Sequence, residues 1–289
     1  CIAASTLNRE EGNKEAFASY IKNMYDKDSL ATDVIFSLAS TISERFKQND
    51  DILNYVIPLF NEISEIKFAS QEDYKEVIES LVTKFISLSS KANGEHRQPN
   101  ELTQLVNSLL NIYNISSIYN PFAGLASYGL SEDIDEYLGQ EINETISIIA
   151  NIRLDAYGKR KNILSFDLDN ADSMSFSGKD IDKLVEFSRI ECMVATPPFG
   201  LKCTLPTSDP AYYKSIEEKV INNFLESESL RTAILILPQR IGFDRTLKKV
   251  RQRLIDENIL DLIIELPNKL FVNTAIGTVV LVLSKNRSE

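Results

Sequence analysis

Two successive prolines set between a small apolar run and an aromatic, Ala195-Thr196-Pro197-Pro198-Phe199-Gly200, are the most informative chemical feature of this sequence. Each proline removes a backbone donor and fixes one φ angle, so the carbonyls of Thr196 and Pro197 point in set directions. With Phe199 beside them as a stacking plate, they make a rigid acceptor cluster suited to a planar base that carries an amino group. The same loop standing alone would do no more than close a strand. Three other constellations also follow β-rich runs. Residues 117–120 lead into Asn120-Pro121-Phe122-Ala123-Gly124, with a glycine where backbone must approach a ligand. Residues 136–140 lead into Glu141, a carboxylate placed to hold the two hydroxyls of a nucleoside ribose or merely to complement a helix dipole. Residues 162–165 lead into Phe166-Asp167-Leu168, which puts another carboxylate after a strand.

These residues need a scaffold that gathers strand ends. Beyond residue 94, seven β-rich runs (117–120, 136–140, 162–165, 191–195, 232–237, 261–266 and 277–283) alternate with helical stretches. That alternation predicts an α/β fold with a largely parallel sheet covered on both faces, in which ligands collect at the carboxyl ends of the strands. Before it, residues 10–90 repeat apolar positions at helical spacing, as in Phe17, Tyr20, Ile21 and Tyr25, with one proline (Pro58) and one glycine (Gly12). They predict an α-helical N-terminal domain of about four helices. The polar, Gly- and Pro-punctuated stretch from Lys91 to Pro99 marks the boundary, giving a helical domain over 1–93 and a second domain over 94–289.

Bulk properties narrow the function classes. With 289 residues, 43% hydrophobic and 25% charged, the chain can bury a sizeable core without staples. Cys1, Cys192 and Cys203 lack metal-ligand spacing, so reduced thiols are expected and no metal site. The apolar runs are too short to cross a bilayer and no signal pattern opens the chain, which predicts a cytoplasmic protein without membrane contact. A start at Cys1 rather than Met, and an end soon after a β-rich run, fit a segment of a longer chain. The net charge of −11 argues that any grip on duplex DNA comes largely from a partner. The basic run Arg240, Arg245, Lys248, Lys249, Arg251 and Arg253 reads as a solvated helix face, with phosphate contact as the alternative. His96, the only histidine, lies in the linker and reads as solvated or touching a cofactor.

Taken in order, the motifs resemble those of the amino-methyltransferases, and especially the DNA adenine-N6 methylases that serve as modification subunits of type I restriction-modification systems. The likeness covers residues 94–285. The family's Gly, aromatic and Thr-Pro pattern resembles Gly94, Arg97-Gln98 and Pro99, with Arg97 and Gln98 where aromatic and Thr are usual. Its Asp-Pro-x-x-Gly-x-Gly loop resembles Asn120-Pro121-Phe122-Ala123-Gly124-Leu125-Ala126, its Gly-x-Glu turn Gly139-Gln140-Glu141, and its Asp-Leu pair Asp167-Leu168. Its Asn-Pro-Pro-Phe loop is similar to Thr196-Pro197-Pro198-Phe199. The segment Leu266-Pro267-Asn268-Lys269-Leu270-Phe271, followed by Thr274-Ala275-Ile276-Gly277-Thr278, is similar to the tail of the type I subunits in particular.

The resemblance implies a Rossmann-like S-adenosylmethionine-dependent methyltransferase fold. The cofactor would be held by Arg97, Pro99, Asn120, Pro121, Phe122, Gly124, Glu141 and Asp167. Thr196, Pro197, Pro198 and Phe199 would receive an adenine flipped out of duplex DNA. A specificity subunit would be a partner and a restriction subunit a further one. Asn120, Ala126 and Thr196 depart from the family's acid, second glycine and asparagine, so a weakened or inactive scaffold that binds a specificity subunit stays open as an alternative. So does a methyltransferase acting on protein glutamine, whose catalytic loop is similar. A Rossmann dehydrogenase is excluded by the missing second and third glycines of the dinucleotide fingerprint.

Overall fold

The computed structural model describes residues 70–88, 98–159, 166–170, 172–200, 215–268, 270–271 and 276–287. The helices expected before residue 70, and His96 with most of the linker, lie outside the described residues. The chain divides into two compact units between Val77 and Ile78. Of the first, the described part is the opening of helix α1 (Gln71–Leu88), where Ser70 accepts the Asp73 N–H at 3.1 Å and Glu72 pairs with Lys75 at 3.0 Å.

The second unit is a seven-stranded sheet. Its strands are β1 (Ser117–Asn120), β2 (Glu136–Glu141), β3 (Phe166–Asn170), β4 (Cys192–Ala195), β5 (Thr232–Pro238), β6 (Leu260–Glu265) and β7 (Thr278–Ser284). Their spatial order is β3-β2-β1-β4-β5-β7-β6, and β7 alone runs antiparallel to its two neighbours. The helices that follow α1 are α2 (Asn100–Ile112), α3 (Glu144–Ala156), α4 (Gly178–Leu184), α5 (Ile216–Glu226) and α6 (Lys248–Asp256). The mostly parallel sheet expected from the alternation is therefore present.

Successive strand side chains point to opposite faces, and the apolar ones sort accordingly. Tyr119, Met193, Ala195 and Leu235 pack with Ile181 of α4, Val220 and Phe224 of α5, and Leu254 of α6. On the other face Ile118, Cys192, Val194 and Ile236 pack with Leu102 and Val106 of α2 and Leu154 of α3. Burial on both faces explains why β4 and β5 read as unbroken apolar runs. Within this unit Val82, from the second half of α1, packs in a smaller cluster with Leu125 and Ile146.

One strand falls elsewhere than its β-rich run suggested. Residues 162–165 lie outside the described residues, and β3 starts at Phe166, so Asp167 is the second residue of the strand and not the residue after it. The strand runs on through Asp167 and Asp169, paired residue by residue with β2. Among the described residues no helix is long and apolar enough to cross a membrane. No group of three or more His, Cys, Asp or Glu among them is placed to hold a metal ion.

Candidate active site

The strand order reverses between β1 and β4, and this is the crevice where an open parallel sheet can admit a ligand. Asn120 is the last residue of β1, Glu141 the last of β2, and Thr196 the first after β4. These three parallel strands are neighbours, so their carboxyl ends bring the three residues to one edge. Asp167 does not join them. It stands opposite Leu138 on the outer strand β3, one position before the level of Asn120 and three before Glu141. The residues level with Gln140 and Glu141 are Asp169 and Asn170.

The turn after β1 is built on Asn120, which is fully buried. Its Oδ1 accepts the Phe122 N–H at 3.2 Å and its Nδ2 donates to the Tyr137 hydroxyl at 3.4 Å. The chain then passes through two left-handed residues, Gly124 at φ +52° and Ala126 at φ +56°. Ala126 thus adopts the conformation that a glycine would adopt more freely, at a cost of roughly 1–2 kcal/mol. Its buried methyl, packed in the core face of α2, offsets part of that cost. Replacing Ala126 by Gly keeps the path of the turn; stability by thermal unfolding should change by less than about 1 kcal/mol. Ligand affinity at the turn, read by calorimetry, should shift by less than about threefold.

Glu141 ties this turn to the next. Its Oε2 accepts the Gly124 N–H at 3.0 Å and its Oε1 accepts the Asn143 N–H at 2.8 Å, while the residue stays buried. Asn143 in turn caps α3 by accepting the Ile146 N–H. Both carboxylate oxygens are acceptors, and they stand at the carboxyl end of β2 beside the turn after β1. Behind the loop, the buried guanidinium of Arg153 donates to the Leu125 carbonyl and to Glu79 Oε1 at 2.7 Å.

The loop after β4 carries Thr196 half-buried, Pro197 buried, Pro198 exposed and Phe199 half-buried. The Phe199 ring meets Phe271 edge to face, with centroids 5.1 Å apart and planes at 90°. Thr196 Oγ1 lies 2.8 Å from the hydroxyl of Tyr128, which is fully buried. Gly200 follows at φ +78°, in the left-handed region that favours glycine. Pro99 begins α2 as its N-cap, and beside it Gln98 is buried with its Oε1 lacking a partner among the described residues. Arg97 lies outside them.

A model of the N-6 DNA methylase family matches residues 69–289. The chain belongs to the N-6 DNA methylase family. A type I restriction enzyme methylase subunit of Mycoplasma pneumoniae is 23% identical over 100% of this chain and 56% of its own length. Another, from Methanocaldococcus jannaschii, is 23% identical over 93% of this chain and 49% of its own. The chain thus spans about half the length of the curated relatives it matches. In three dimensions it superposes on the type I restriction-modification methyltransferase subunit of Streptococcus thermophilus. The TM-score is 0.60 at 20% identity, over 79% of this chain and 53% of that one. The fold is therefore that of the S-adenosylmethionine-dependent methyltransferases, as the motif order implied.

Within this N-6 DNA methylase, three residues of the site were missed by motif reading. Tyr128 and Tyr137 touch the motif residues Thr196 and Asn120, and Arg153 reaches the loop backbone. The available signal was polarity out of place. Arg153 interrupts an apolar stripe on α3, and Tyr128 sits in the apolar run after Gly124. The basic run is partly spoken for: Arg240 pairs with Glu217 at 2.7 Å, Arg253 with Glu257 at 2.6 Å, and Arg251 donates to the Ile241 and Asp244 carbonyls. Arg245, Lys248 and Lys249 are exposed.

Proposed function

We propose that this chain is the catalytic core of a DNA adenine-N6 methyltransferase, the modification subunit of a type I restriction-modification system. In this reading it works in the cytoplasm, with a specificity subunit as partner and a restriction subunit in the larger assembly. The observation that carries the reading is the meeting of Asn120, Glu141 and Thr196 at one sheet edge in a chain of this family. The residues present fit the nucleoside end of S-adenosylmethionine. Glu141 is a buried carboxylate at the carboxyl end of β2, of the type that accepts charge-assisted hydrogen bonds from ribose hydroxyls. Gln98 Oε1, which lacks a partner among the described residues, is an acceptor beside the helix that packs on the turn. Glu141, Gln98 and the backbone of the turn at Asn120–Gly124 would hold the cofactor, with Pro99, Pro121 and Phe122 shaping its walls.

When bound, S-adenosylmethionine supplies an electrophilic methyl group. The protein's own task lies on the other side. The lone pair of an adenine amino nitrogen is delocalised into the ring, and acceptors bonded to the N–H groups help to localise it on the nitrogen for attack. Thr196 Oγ1 and the Pro197 carbonyl are the acceptors, held by a loop whose two prolines leave little freedom. Phe199, braced by Phe271, gives the flipped base a face to stack on. Threonine is shorter than asparagine, and loss of one such preorganised contact costs on the order of 3 kcal/mol, about a hundredfold in rate.

The test is calorimetry with S-adenosylmethionine beside transfer of labelled methyl to unmethylated duplex DNA, using the full-length subunit with the partners that co-purify with it. Saturable binding and label in DNA adenine are expected. No cofactor binding would overturn the enzyme reading in favour of a scaffold, and label appearing in protein glutamine would overturn the choice of substrate.

A further inference from the structure

The hydroxyl of Tyr128 reaches the one side chain on which the acceptor cluster depends. Tyr128 lies in the short 3-10 turn Ser127–Leu130 after β1, its ring fully buried among residues of α2 and the sheet. Its oxygen is 2.8 Å from Thr196 Oγ1, and Thr196 is the partner it has among the described residues. Two hydroxyls share this contact, so either could be the donor. Burial decides between them. A phenol proton with no acceptor in a dry core is costly, whereas half-buried Thr196 can direct its own proton outward. Burial also pushes the Tyr128 pKa far above its ordinary value, so the phenol keeps its proton. The bond therefore runs from Tyr128 to Thr196.

We infer that Tyr128 is a positioning residue for the methyl-transfer step, working with Thr196 as a matched pair. This rests on the proposed function. By donating to one lone pair of Oγ1, Tyr128 fixes the threonine rotamer and leaves the second lone pair to receive an amino proton of the target base. The pair occupies the place where the family carries a longer asparagine. In a site already holding the Tyr128 hydroxyl, an asparagine would meet it, so Thr196→Asn is a loss of fit and not a repair. Asparagine needs the phenol oxygen removed as well.

The experiment is a set of double-mutant cycles on kcat, KM and cofactor affinity, with labelled S-adenosylmethionine and unmethylated duplex DNA. Tyr128→Phe is expected to lower kcat about tenfold and to leave cofactor affinity and KM for DNA within about twofold. Thr196→Ser retains the hydroxyl but loses the β-methyl that restrains its rotor, so Tyr128→Phe should cost more on the serine background than on threonine. On Thr196→Val it should cost nothing further. Thr196→Asn should fall below wild type, and Thr196→Asn with Tyr128→Phe should recover above either single variant. A second readout needs no cofactor and no turnover: in threonine-methyl-labelled protein the Thr196 methyl resonance should shift on Tyr128→Phe, as the freed rotor averages over rotamers. An active wild type with additive kcat effects, or a Thr196 resonance that does not move, overturns the pair. A resonance that moves in a protein that transfers no methyl overturns the proposed function instead, and the catalytic part of this inference with it.

Discussion

Glu141→Ala is expected to weaken S-adenosylmethionine binding at least about a hundredfold, the largest effect on affinity of any single change at the site. Two charge-assisted hydrogen bonds to the ribose would be lost, each worth about 1.5–3 kcal/mol, and about 1.4 kcal/mol is a factor of ten. The same change orphans the Gly124 and Asn143 N–H groups, which now end on the two carboxylate oxygens. Glu141→Gln, which keeps one acceptor oxygen, should fall between alanine and wild type. The control is Glu136→Ala, at the opposite end of the same strand. Glu136 accepts the Arg189 N–H at 2.9 Å and stands 3.7 Å from its guanidinium, so its loss should lower thermal stability and leave affinity within about twofold. Calorimetry and thermal unfolding on the same samples separate the two effects. Equal losses of affinity from Glu141→Ala and Glu136→Ala would remove Glu141 from the cofactor site.

The largest effect on stability is expected at Arg153, a residue no motif names. Arg153→Met should destabilise the unit by about 3–5 kcal/mol in denaturant unfolding, a large part of the roughly 5–15 kcal/mol that holds a domain folded. The guanidinium is 3% exposed and joins Glu79 to the carbonyl of Leu125 in the turn after β1. Removing it alone leaves a mostly buried carboxylate and a buried carbonyl facing an apolar side chain. Arg153→Lys should recover little, because a single ammonium on a flexible stem cannot reproduce two donors set in a planar fork. Arg153→Met combined with Glu79→Leu should regain part of the loss, since replacing both members of a buried ion pair by apolar groups costs less than removing one. A single-variant loss below about 1 kcal/mol would show that the turn is held by its own backbone bonds.

Much of this protein is written in local pattern. Strands β1, β4 and β5 are short apolar runs bounded by turn residues, and each lies within a residue of its expected ends. Their unbroken apolarity, set between helices, already implied a parallel sheet with both faces covered. The candidate chemistry was equally local. Asn120-Pro121, Gly139-Gln140-Glu141 and Thr196-Pro197-Pro198-Phe199 are contiguous words, and contiguity survives in sequence. Asp167 shows the limit of that reading. Strand ends in an alternation of Phe, Asp, Leu, Asp and Asn are not marked by any breaker, and pairing with β2 decided where the edge falls.

What only the tertiary structure decided is which distant residues share a contact. The sheet order that sets β1 between β2 and β4 brings Thr196 to Tyr128, 68 positions away, and the meeting of α1 and α3 brings Arg153 to Glu79, 74 positions away. In sequence the three departures from the family pattern look like decay. In the fold, Asn120 has both its amide groups engaged, Ala126 holds a left-handed turn, and Thr196 meets the hydroxyl of a buried phenol. A residue's type is fixed by its codon, but what that type can do depends on the groups within about 3 Å of it, and hydrogen bonding at that range is set by packing across the sheet and not by neighbours along the chain.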